Sequence, residues 1–223
     1  MSTGNGSPPV EPQAENDVSP ALLPPPDQVA ELAEACVVYV ERTTKIRLDY
    51  TPETLPLLDH YVRTMRADHP TKDDVLALVA APEGAYLGEV MRRALPLTWF
   101  TPVGDYRRWR VELENVFLSM NPVGAAVEAL LLQDVEGWGA AFRMHAEDEA
   151  IAAHVLSSLP EVSVEDYYSP SNRLEILTIV SDALASHDIA AGTNRKYGLA
   201  DYGPIRAEAI GEALTAGEGD DDS

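Results

Sequence analysis

The chain has one cysteine, three phenylalanines and little positive charge. A single cysteine, Cys36, excludes an internal disulfide framework. It stands in the apolar stretch "AEACVVYV" with no neighbouring cation to favour its thiolate, so it reads as a small core residue. Lysine and arginine number 16 against 37 aspartates and glutamates, a net charge of −21. Phosphate backbones and anionic lipid repel such a chain, which speaks against nucleic acid and membrane surfaces as partners. No apolar run approaches the ~18 residues that span a bilayer. The opening "MSTGNGSPPVEPQ" has no basic region followed by an apolar run, so no secretory signal is expected and the expected setting is cytoplasmic.

At 45% hydrophobic and 24% charged residues, the composition is that of an ordinary globular protein. Residues 1–26 hold seven of the 17 prolines and no lysine or arginine, and are expected to be disordered. Residues 27–187 are expected to form a single globular domain. Residues 188–223, closing on "GEGDDDS", are expected to be a flexible acidic tail. Within that tail Pro204 can open a short docking helix over 204–214, with Ile205, Ile210 and Leu214 on one stripe and Tyr197 and Tyr202 just before it.

Helical spacing runs through Val29, Leu32, Ala33, Cys36, Val37 and Val40, with Asp27 as N-cap. A second helix buries Leu55, Leu58, Val62 and Met65, with Thr51 as cap and Pro52 in its first turn. Thr71 and Asp74 have capping-box spacing for a third, which Pro82 should kink or break. "LTWFTP", "RRWRVEL" and "NVFLSM" then read as strands. Helices return at Asn121-Pro122, in "EGWGAAFRMH", in the segment with Ile151, Val155, Leu156 and Leu159 inward, and at Ser169-Pro170 with Leu174, Leu177, Val180 and Leu184 inward. The expected fold is α+β, mainly helical, with a small antiparallel two- or three-stranded sheet in the middle of the chain.

"EGAYLGEVMRR" carries Gly84 and Gly88 one turn apart on a helix. Glycine costs about 1 kcal/mol against alanine in a helix interior, so two on one face point to a close backbone contact. Glu89 precedes Arg92 and Arg93 by three and four residues, the order of a surface helix ion pair.

"LDYTPETLPLLD", "GAYLGEVMRR", Trp99, "NPVGAAVEAL" and "GWGAAFRMH" occur in an order that resembles a group of uncharacterised bacterial proteins: a Tyr-x-Gly-Glu helix, a Trp strand and an Asn-Pro helix start. The resemblance covers about Leu48 to His145. The proline at 82 and the alanine-rich helix after Asn121 depart from it. It implies a small α+β domain and no activity.

Chemistry-bearing motifs are scarce. His145, Glu147, Glu149 and His154 lack the His-Glu-x-x-His pattern, and only Glu147 and His154 share a helix face, so no metal is expected. "GWGAAF" starts like a dinucleotide loop but places Phe142 where a small residue is required. No catalytic residue and no cofactor are expected. The expected function is a non-enzymatic protein-interaction module, an adaptor or regulatory subunit in a bacterial cytosolic complex. It would bind another protein, with a basic one fitting its charge, and can dock through its tail. Two alternatives stand beside it: an acidic immunity-type protein masking a basic toxin, and an enzyme or small-ligand sensor with a pocket near Tyr86, Glu89 and Trp99. The candidate interaction or packing residues are Gly84, Tyr86, Gly88, Glu89, Trp99, Tyr197, Tyr202, Ile205, Ile210 and Leu214.

Overall fold

In the computed structural model, residues 24–68, 73–193 and 195–203 are described. Helix α1, Asp27–Thr44, buries Val29, Ala33, Cys36, Val37 and Val40 on the stripe their spacing predicts. Pro26, not Asp27, occupies its N-cap position, and Asp27 lies in the first turn, where a carboxylate favours the positive end of the helix dipole. A 3-10 turn at Pro52–Thr54 leads into α2, Leu55–Asp68, with Leu55, Leu58 and Val62 buried. Thr51 does not cap: its hydroxyl is drawn to Asp49 Oδ1 at 2.6 Å.

Helix α3, Asp73–Ala94, runs through Pro82 without the break that was one of the two expected outcomes. Proline removes one backbone hydrogen bond at a cost of ~3 kcal/mol. Residues 80–92 are all buried, and packing of that extent outweighs a local cost. The expected capping pair lies outside the described residues, at Thr71, and outside the described side chains, at Asp74.

Four strands follow: β1 Leu97–Phe100, β2 Arg110–Leu113, β3 Leu118–Met120 and β4 Arg143–Met144. They pair antiparallel in the order β1-β2-β3-β4, with Leu97 opposite Leu113 and Val111 opposite Met120. The sheet therefore has one strand more than expected. The extra strand lies in "EGWGAAFRMH", read from sequence as a short helix. Gly137 and Gly139 take left-handed φ of +79° and +60°, which a helix does not use, and Asn121 N–H donates to Gly139 O at 2.9 Å.

Helix α4, Pro122–Leu131, sits between β3 and β4 in the chain and starts as its sequence predicts, with Asn121 Oδ1 accepting from Val123 N–H at 2.9 Å. Three further helices follow among the described residues: α5 Glu149–Ser157, a short α6 Val164–Tyr167 and α7 Pro170–Ala190. In α5 the fully buried residue is Ala152, and Leu156, expected inside, is exposed. In α7 the Ser169 side chain caps from the expected position, and Leu174, Leu177, Val180 and Leu184 are buried. The fold continues past residue 187: α7 reaches Ala190, and residues 195–203 form a strap that ends in the buried Tyr202.

The core is built around α3, which packs on α1 and α4. A Cβ at Gly84 would run into Val123 Cα and sit 2.7 Å from Pro122 O. A Cβ at Gly88 would run into the six-membered ring of Trp99. Gly124 answers from α4, where a Cβ would strike Trp138 O. Gly84→Ala is therefore expected to destabilise the fold by about 3 kcal/mol, because the obstacle is backbone and cannot rotate away. Equilibrium urea unfolding measures it, and an unchanged midpoint and slope would exclude the backbone contact.

Candidate functional site

Of the residues singled out from sequence, Glu89 and Trp99 meet beside Gly88 while Tyr86 faces Tyr50 and Thr54 on the opposite side of α3, and each is used up by protein partners. The Tyr86 hydroxyl accepts from Tyr50 N–H and shares a hydrogen bond with Thr54 Oγ1, both at 3.0 Å, while its ring packs 4.9 Å from that of Tyr50. Glu89, 2% exposed, accepts from Arg92 Nε and Trp99 Nε1 on Oε1, both at 2.8 Å, and from Arg92 Nη2 on Oε2 at 2.7 Å. The ion pair expected at the surface is thus buried and forked. Arg93 turns away, its guanidinium 4.2 Å from the Tyr50 ring centroid. A general base needs a lone pair facing a substrate. The Glu89 carboxylate faces Arg92 and Trp99, and its role here is to fix the indole over Gly88.

Glu83, one residue before Gly84, is a second buried carboxyl that motif reading passed over. It is 2% exposed, and neither oxygen has a hydrogen-bond partner. Burial pushes its pKa up to about 8, so it is folded as the neutral acid at pH 7. Cys36 of α1 and Tyr61 of α2 are its electrostatic neighbours, and burial holds both the thiol and the phenol above their ordinary values. Its only sequence signal is position: an acid directly after Pro82 in an otherwise apolar and small-residue helix.

The strap brings Tyr197 and Tyr202 onto Phe117. The Tyr202 ring stacks at 4.7 Å, and its hydroxyl accepts from Leu118 N–H at 3.0 Å and lies 2.8 Å from Leu113 O. Tyr197 N–H donates to Glu114 O at 2.8 Å. His145, weighed as a metal ligand, stacks on the other side of this cluster, 4.0 Å from Phe117. Among the described residues no group of three His, Cys, Asp or Glu side chains could hold a metal ion. Ile205, Ile210 and Leu214 lie outside the described residues.

A surface feature that sequence reading did not assemble is a groove of about 520 Å³ between the start of α2, the end of α3 and α7. Pro52, Leu55 and Pro56 line one wall, Ala94 and Leu95 the end of α3, and Leu174, Thr178 and Ile179 the α7 wall, with Ser171 and Glu175 adding polarity. Its partial signal is the pair Pro52 and Pro56, which expose ring carbons at a helix start, and Ile179, an apolar residue beside the predicted stripe of the last helix.

Comparison with protein-family models, curated proteins and solved structures gives no match. Among the described residues no helix is long and apolar enough to cross a membrane.

Two predictions follow from the buried carboxyls. Glu89→Gln removes the negative charge from a buried, forked ion pair, so a loss of about 3 kcal/mol in urea unfolding is expected, against ~1 kcal/mol or less for a surface pair. A loss below that lower figure would contradict the buried pair. For Glu83 the folded pKa, about 8, exceeds an unfolded value of about 4.3. The folded state then holds a proton that the unfolded state has released, so this group's contribution is fully present below pH ~4 and is lost as pH rises through about 8. Glu83→Gln removes that dependence. The variant should gain on the wild type by about 1.4 kcal/mol per pH unit between pH 5 and 8, measured by unfolding at each pH. Parallel stability curves would mean that Glu83 is ionised in the fold.

Proposed function

We propose that the chain is a non-enzymatic protein-interaction module, an adaptor or regulatory subunit, and that it binds through the groove between α2, α3 and α7. The observation that carries this reading is the groove itself: a concave, mainly apolar surface whose floor includes the buried Leu55 and Leu174 and whose walls leave Pro52, Pro56, Ala94, Leu95, Thr178 and Ile179 at least partly in contact with solvent. Apolar surface gathered in one concavity is a common mark of a binding site, whereas apolar residues scattered singly are not. The polar side chains first weighed for a small-ligand pocket, Tyr86, Glu89 and Trp99, spend their hydrogen bonds on Tyr50, Thr54 and Arg92, which favours a packing role for them. The bacterial cytosolic setting and the kinship with the uncharacterised Tyr-x-Gly-Glu proteins belong to the same proposal.

The test compares native chain and Ile179→Asp as baits in lysate of the source cells. Ile179 is half-buried at the groove wall, so thermal melting by circular dichroism must first show the variant folded. Loss of specific partners from the folded variant is the expected outcome. An unchanged partner set, or none for either bait, would overturn the groove as the binding surface.

A further inference from the structure

We infer that the groove takes an amphipathic helix whose apolar stripe is flanked by lysines or arginines. This inference rests on the protein-interaction reading and adds the chemistry of the partner. The groove's walls are helical, α7 on one side and the start of α2 on the other, and about 520 Å³ accommodates several aliphatic side chains presented one turn apart. On α7 the rim is acidic. Glu175 lines the groove, and Asp182, exposed, follows it by seven residues, placing the two carboxylates on one stripe about 10 Å apart with Thr178 and Ile179 between them. On the facing wall the exposed Glu53 stands in the chain between the lining residues Pro52 and Leu55. The cations adjacent to lining residues in the chain are engaged elsewhere: Arg93 is laid over the Tyr50 ring and Arg173 pairs with Glu128 at 2.9 Å.

Charge decides among the occupants. A second copy of this chain brings another −21 to the same rim. The chain's own residues 204–223 carry six carboxylates and one arginine, so like charges meet there too. A helix with basic flanks instead finds Glu175 in the groove, the exposed Asp182 and Glu53 on the elements that flank it, and an acidic molecule behind them, which steers its approach as well as fixing its register.

The experiment uses the full chain and two fluorescein-labelled 16-residue peptides that share a leucine stripe at i, i+3, i+4 and i+7, one with lysines at the flanking positions and one with glutamates. Fluorescence anisotropy at low salt should show the lysine peptide bound, at least tenfold weaker binding in 0.5 M salt, and at least tenfold weaker binding to Glu175→Lys/Asp182→Lys, whose substitutions are exposed and leave the core intact. The glutamate peptide should not bind. Equal binding of both peptides, each abolished by Ile179→Asp, would overturn the basic-helix assignment while leaving the groove as a binding surface. Binding of neither peptide to the native chain overturns the assignment. So does binding of the lysine peptide that appears only when Ile205, Ile210 and Leu214 are replaced by serine, which would make the chain's own end the occupant. Dimerisation in sedimentation that Ile179→Asp abolishes would make the occupant a second copy.

Discussion

The fold depends on the direct approach of α3 to the backbone at Pro122 and Val123. Helices normally keep 8–10 Å between their axes because side chains stand between them. At Gly84 there is none, and the first turn of α4 takes the place a Cβ would fill. One turn on, Gly88 gives the same space to the ring of Trp99. That second contact is held by charge: Glu89 grips the indole N–H while Arg92 neutralises the carboxylate. The helix cost of two glycines, ~2 kcal/mol together, is thereby offset in two ways, by backbone packing toward α4 and by an aromatic ring locked toward β1.

Helix α3 also carries two buried carboxyls within seven residues and treats them oppositely. Glu89 remains buried because Arg92 and Trp99 supply three donors. Glu83 has no such donors, and the physics leaves it the other route, neutralisation by a proton. The difference follows from sequence position. Three residues beyond Glu89 stands Arg92, on the same helix face; three and four residues beyond Glu83 stand Tyr86, committed to Tyr50 and Thr54, and the apolar Leu87.

What was legible in the sequence was whatever local chemistry decides. The stripes of α1, α2 and α7, the Asn121 and Ser169 caps and the three longer strands follow from periodicity and from side chains that bond their own backbone, and the glycine pair announced a close contact. What was not legible depended on partners far away in the chain. Pro82 was read as a kink or a break because its local cost is visible in sequence and the burial of the surrounding turns is not. "EGWGAAFRMH" has the small residues of a helix, but Gly137 and Gly139 take left-handed φ. The Glu89 pair was placed at the surface because spacing gives a partner and says nothing of burial. The groove was invisible for the same reason: its walls come from residues 52–56, 94–95 and 171–179, and only the packing of α7 on α2 brings them together.

In the proposed role, the net charge of −21 would set the groove's selectivity. On an acidic surface, an apolar concavity is shielded from neutral and acidic proteins less by shape than by the repulsion and dehydration that any approach to its rim entails. The same rim lowers that barrier for a cationic segment, since its charges are met before its apolar residues reach Leu95 and Ile179. The folded core draws little on this acidity: Glu89 pairs with Arg92, Glu128 pairs with Arg173 at 2.9 Å, Asp59 accepts from Ser171 N–H at 3.1 Å, and Glu83 is neutralised. Excess carboxylates outside such pairs repel one another and work against the compact state. The proposed basic partner would account for a surface that retains them at that cost, which stability does not.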